Sequence, residues 1–260
     1  MLKSIKELLL YIAHPKYIEH GPAHSDFSLN VPLGRIFKWV LLMWLVDLVI
    51  FAPIVVAVSK NLGVDNQIDP TLPYLVPLAA VWAPIVEELI FRFSLRRPMF
   101  WILCIPLGIM VFGSGPIFLS FAVVGVLVLV IIYLDSTGKL EEKYALPPKY
   151  KAVYYAYFPF VFHASVIVFA CLHVFNYDIE EVSVLMFLLV VPQLVTGYVI
   201  AWFRMKYSFI SGVVFHAIFN GGPVILVWLA MKALKSLPPE EYEKIMKSME
   251  SVFNPILNLI

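Results

Sequence analysis

The chain has 260 residues, of which 61% are hydrophobic and only 14% charged, with a formal net charge of +1. Ordinary soluble domains carry about one-quarter charged residues, so this composition calls for lipid as part of the solvent. The balanced charge argues against nucleic acid as a partner, because phosphate binding needs clustered Lys and Arg.

Lys3 and Lys6 precede a short apolar run, Leu8 to Ala13, that meets His14 and Pro15 without a small-residue cleavage site, unlike a cleaved signal peptide. Leu2, Ile5, Leu9 and Ile12 recur at helical spacing beside Lys3, Lys6 and Glu7, the pattern of a helix lying in the membrane surface. Residues 1–36 are therefore read as a cytoplasmic or interfacial segment, and 37–71 as a first span with its loop. That span, near 37–59, holds Asp47, a buried acid that asks for a partner.

A second span, near 72–95, carries Glu87 and Glu88 and ends in Arg92, Arg96 and Arg97, with Arg96 expected to reach the headgroups. From Pro98 to Leu134 no charge occurs, and Gly113-Ser114-Gly115-Pro116 divides the stretch into two short helices. Spans near 152–176, 182–203 and 207–231 complete an all-α, polytopic bundle of about seven crossings, six to eight, with 72–231 as its main membrane domain. In 232–260, Pro238-Pro239 opens a face of Tyr242, Ile245, Met246, Met249, Val252 and Phe253, read as a C-terminal interfacial helix. Cys104 and Cys171 sit in apolar runs and read as packing.

Basic residues, from Lys3 and Arg35 through Arg92, Arg96, Arg97, Lys139, Lys143, Lys149 and Lys151 to Arg204 and Lys206, alternate with connections bearing Asp65, Asp69, Asp178, Glu180 and Glu181. This asymmetry places the N-terminus in the cytoplasm. The plasma (inner) membrane is the expected location.

An ionised group at the bilayer centre costs about 2.5 to 3.5 kcal/mol, so Glu87 and Glu88 together require a reason. Residues four apart share a helix face, which pairs Glu88 with Arg92 and leaves Glu87, about 100° round, to enter a polar cavity. Packing polarity alone is the alternative. His173 follows Phe169 by one turn, and His216 and Asn220 project together from the last span, while His163 shares neither the face nor the depth of His173. At 1.5 Å per residue, Glu87 lies roughly 14 Å from Arg96, His216 roughly 14 Å from Lys206 and His173 roughly 20 Å from Pro159. All three depths fall near the middle of a core about 30 Å thick, so one shared site is expected.

Glu87-Glu88-Leu89-Ile90-Phe91-Arg92 fits EExxxR, Phe169-Ala170-Cys171-Leu172-His173 fits FxxxH, and His216-Ala217-Ile218-Phe219-Asn220 fits HxxxN. In this order they resemble the CPBP family of intramembrane proteases, which includes type II CAAX prenyl endopeptidases and bacteriocin-immunity (Abi) proteins. The likeness covers about residues 72–225. It implies that Glu87 and His173 activate a water, that His216 and Asn220 stabilise the oxyanion, and that Glu88, Arg92 and Phe169 support them. Donors aimed at an oxyanion contribute about 2.7 to 4 kcal/mol each, so hydrolysis needs no metal and no cofactor is expected. Glu87, His173 and His216 also form a His₂Glu set suited to zinc, the alternative, although HExxH is lacking.

The expected partners are membrane lipid and a membrane-associated or lipidated peptide or protein substrate. A non-proteolytic scaffold or immunity protein is the second class, and a proton-coupled transporter the third. All four proposed catalytic residues favour the enzyme, and the missing repeats disfavour the transporter.

Overall fold

The computed structural model describes residues 1–19, 25–68, 74–115, 117–178, 183–234, 237, 238, 240–243 and 245. Among the described residues the protein is all-α, with a single isolated bridge between Asn66 and Tyr177 and no strand. The helices are α1 (Leu2–Ala13), α2 (Leu33–Leu62), α3 (75–96), α4 (Pro98–Ser114), α5 (Phe118–Ser136) and α6 (Lys139–Tyr144). They continue as α7 (Pro148–Asn176), α8 (Met186–Leu189), α9 (Val191–Lys206) and α10 (Phe209–Leu234).

Four of these, α2, α5, α7 and α10, are long and apolar enough to cross a membrane. The 19 residues of α5 rise roughly 28 Å, close to the thickness of a hydrocarbon core. The other expected spans take different forms. Helix α4 is apolar but shorter, α3 is continuous but carries Glu87, Glu88, Arg92 and Arg96, and the 182–203 stretch breaks at Val190 into α8 and α9. The uncharged run divides where its turn residues predict, with α4 closing at Ser114 and Gly115 at φ +70°, a conformation that favours glycine. Pro239, Met246, Met249, Val252 and Phe253 of the expected C-terminal helix lie outside the described residues, as do Asp69, Glu180 and Glu181.

The chain gathers into two units, one of Met1–Pro32, Ile85–Val166 and Tyr198–Val213, the other of Leu33–Pro84, Ile167–Gly197 and Val214–Ile260. In the first, Phe93 meets Phe100 and Phe209 edge to face at 5.1 and 5.2 Å, and α1 docks through Leu8 and Tyr11, whose ring meets Phe162. Leu2 and Leu9 of α1 remain exposed.

Asp26, fully buried, ties three elements of this unit together. It accepts from Arg96 Nη1 and Arg97 Nε, each at 3.2 Å, and from Arg204 Nη1. Burial pushes its carboxyl up, but the charges of Arg204, Arg96 and Arg97 outweigh this and hold it well below the usual carboxylate range. Arg96 is only 8% exposed, which corrects the expectation that it reaches the headgroups: its guanidinium turns inward because Asp26 is there to receive it.

The second unit is closed by small residues. A Cβ on Gly222 would come within 2.4 Å of the Trp44 ring, and one on Gly221 within 2.6 Å of Ala80 Cβ, so two glycines let α2 and α3 approach α10. Trp44 Nε1 also donates to the Phe219 carbonyl at 3.0 Å. Beyond the helix ends, Gln67 N–H donates to Asn176 O and Asp178 N–H to Asp65 O. Asp47 lies in a π turn, Asp47–Phe51, 2% exposed, and neither carboxylate oxygen has a hydrogen-bond partner among the described residues.

Candidate active site

Helix α3 carries the acid pair just before a π turn, Leu89–Phe93. Glu88 and Arg92, 1% and 0% exposed, pair at 3.3 Å, the contact that four-residue spacing dictates. The Arg92 guanidinium also lies 5.6 Å from the Phe91 ring centroid. Gly212 supplies the room beside this pair, since a Cβ there would sit 3.4 Å from Glu88 Oε2. A π turn widens the backbone ladder, and side chains from three helices bond its carbonyls. Cys104 Sγ donates to Leu89 O at 3.3 Å, Ser165 Oγ to Phe91 O at 2.6 Å, and Arg204 to Arg92 O and Phe93 O at 3.1 Å each. The turn that orients the acids is thereby held from several sides. Glu87 is half-buried and belongs to this first unit.

The remaining motif residues belong to the second unit, which brings them together. His173 Nδ1 lies 2.9 Å from the Phe169 carbonyl, one turn back on α7. A carbonyl can only accept, so Nδ1 carries the proton and Nε2 is the basic nitrogen. The Phe169 ring stands 4.6 Å from His173 and 6.1 Å from His216, edge to face with both, and so spaces the two imidazoles. On α10, Asn220 Nδ2 donates to His216 Nε2 at 3.0 Å, and both side chains are buried, at 6% and 2% exposed. A buried amide and imidazole bonded to each other are oriented without water, the condition under which a donor acts strongly on developing charge.

No family model, curated protein or solved structure matches the chain.

The structure thus unites Phe169, His173, His216 and Asn220 in one unit, and Glu87, Glu88 and Arg92 in the other. Among the described residues, no three His, Cys, Asp or Glu side chains are arranged to hold a metal ion. His163 bonds Tyr198 Oη through Nδ1 at 2.9 Å and packs on Phe162, as a hydrogen-bonded packing residue does. Trp44 and the Gly221-Gly222 pair escaped the sequence reading. The adjacent glycines directly after Asn220 were the available signal, because paired glycines inside an apolar helix mark close backbone approach.

Proposed function

We propose that the protein is a polytopic membrane protein, of about seven crossings with a cytoplasmic N-terminus, that hydrolyses a peptide bond of a membrane-associated substrate. The reading is that of a CPBP-type intramembrane endopeptidase. The observation that carries it is the cluster of buried Phe169, His216 and Asn220 with half-buried His173, which is held in the tautomer that leaves Nε2 basic. The ordered EExxxR, FxxxH and HxxxN motifs support it from the sequence side.

In this mechanism Glu87 and His173 Nε2 take a proton from water as it attacks the scissile carbonyl. The tetrahedral oxyanion then draws hydrogen bonds from the Asn220 amide, which has two N–H groups, and from His216 Nδ1–H, the ring nitrogen that keeps the proton while Nε2 accepts from Asn220. The proton passes on to the leaving amine as the C–N bond breaks. Glu88 is neutralised by Arg92 and does no chemistry. The competing account, zinc bound by Glu87, His173 and His216, has no support from the geometry, because these described side chains are not arranged as a metal site.

The test is cleavage profiling of a membrane-peptide library by purified wild type and Glu87→Gln. The amide keeps the shape but cannot accept the proton of water, so turnover should vanish while the protein stays folded. Undiminished turnover by Glu87→Gln removes the assignment.

A further inference from the structure

The first unit contains a cavity of about 530 Å³ that the peptidase reading does not use. Helix ends build it: Arg96 closes α3 with Arg97 just beyond, Asp135 lies in the last turn of α5, Glu141 lies on α6, Lys151 is in the first turn of α7, and Glu19 comes from the N-terminal segment. Its charged lining is therefore mixed. A simple anion would meet three carboxylates, and a simple cation two guanidiniums and an ammonium.

The two signs are not evenly placed. Arg96 and Arg97 form the inner wall at 8% and 9% exposed, sharing Asp26 with Arg204, so three guanidiniums face one buried carboxylate there. Glu19 and Glu141, with side chains 61% and 65% exposed, stand at the outer rim, where Glu141 pairs with Arg97 and Glu19 lies 3.7 Å from Lys151, itself 42% exposed. Tyr17 and Tyr155 stack at 4.6 Å on one side. Their hydroxyls are committed, Tyr17 to the Arg96 carbonyl and Tyr155 to Glu19, so they supply an aromatic wall.

We propose that this cavity binds a phosphate-ammonium zwitterion of the phosphoethanolamine type, which takes the place of the Arg97–Glu141 and Lys151–Glu19 pairs, its phosphate against Arg96, Arg97 and Lys151 and its ammonium against Glu19 and Glu141. Guanidiniums bond phosphate oxygens in charge-assisted pairs, and a primary ammonium brings three N–H donors to the carboxylates. A trimethylated ammonium brings none. Reading α5 and α7 as membrane-spanning puts the cavity at headgroup depth, where a phospholipid presents this group; the assignment rests on that part of the proposed function and not on proteolysis.

The experiment is native mass spectrometry of the full chain in detergent, with phosphatidylethanolamine, phosphatidylglycerol and phosphatidylcholine of identical acyl chains. Soluble glycerophosphoethanolamine is the competitor. Phosphatidylethanolamine should be retained about tenfold over each of the others. Lys151→Ala should lower its retention about fivefold, with Lys151→Arg restoring it. Glu19→Gln should erase the preference over phosphatidylcholine. Both side chains are well exposed, so folding is kept, and the wild-type lipid preference is decisive by itself. Binding of the soluble competitor without lipid retention identifies a free phosphoethanolamine compound as the ligand. Equal retention of the three lipids with no competitor binding, or unchanged binding in Lys151→Ala and Glu19→Gln, overturns the proposal. Because no arm reads cleavage, an inactive protease with selective binding separates the two readings.

Discussion

Asp26→Asn removes one charge and almost no volume, and it isolates what the buried carboxylate contributes. Asp26 and Arg204 are 0% exposed, and the Arg96 and Arg97 side chains 7% and 10%, so water cannot take the place of the lost charge. Removing one partner of a buried pair typically costs about 3 to 5 kcal/mol. Arg97 keeps Glu141, and Arg204 keeps the carbonyls of Arg92 and Phe93, which places the expected loss near the lower figure. At about 2 to 4 °C per kcal/mol for a chain of this size, Tm should fall by about 6 to 12 °C. The assay is thermal unfolding of both proteins in one detergent from pH 7 down to pH 3. Because the arginines outweigh burial, the folded carboxyl titrates below its unfolded value near 3.9. Its contribution is therefore full above that value and is lost as pH falls through the interval beneath it. The gap between wild type and variant should be complete at pH 7 and narrow below about pH 4. A variant as stable as wild type at pH 7, or a gap that persists undiminished in acid, refutes the reasoning.

Gly222→Ala should destabilise: helix propensity offers about 1 kcal/mol, but a Cβ at 2.4 Å from the rigid Trp44 ring brings overpacking of about 1 to 3 kcal/mol and breaks the bond to Phe219 O. An unchanged or raised Tm would count against that close approach. Arg92→Ala should lower Tm much more than Arg35→Ala, because it strands Glu88 at 1% exposure whereas Arg35 is exposed; equal loss would remove the structural role of the pair. Asn220→Ala should lower kcat by about 10² to 10³ with little change in KM, while a strong chelator leaves the wild type active. A chelator-sensitive wild type together with an active Asn220→Ala enzyme would establish the zinc account instead.

Contacts set by helix geometry alone were open to sequence reading. Glu88 with Arg92, His216 with Asn220 and Phe169 with His173 each lie four residues apart, and α geometry brings such pairs together whatever the tertiary arrangement. The break at Gly115 was equally local. What the sequence concealed depends on topology. Asp26 bonds arginines 70, 71 and 178 residues away, and Trp44 bonds a carbonyl 175 residues on, so neither partner can be named from spacing. Arg96 was misread for the same reason: an arginine at a span's edge has the composition of a headgroup anchor until a buried acid is known to lie beside it. The 182–203 stretch reads as one span by composition, yet its backbone divides at Val190, two residues before Pro192, which lacks a backbone N–H and fits the first turn of a new helix.

The second of the two π turns in α3, Leu89–Phe93, has a consequence for any shortened version of this chain. Between Glu88 and Ser94 the backbone is wound wider than an α-helix, so its bond pattern accommodates a residue that strict α winding would not. Deleting one of Leu89, Ile90 or Phe91 would let the segment rewind as regular α-helix, and because the wide turn takes up the extra residue, the acid pair would keep about the same angular position relative to Arg96 and Arg97. Glu88 and Arg92 would become third neighbours, still able to touch, so the ion pair could survive the deletion. The latches from Cys104, Ser165 and Arg204 would not, because each is fitted to a carbonyl whose direction the wide turn sets. Chain length between the acids and the arginines is therefore under tighter constraint than the identity of the apolar residues that fill it.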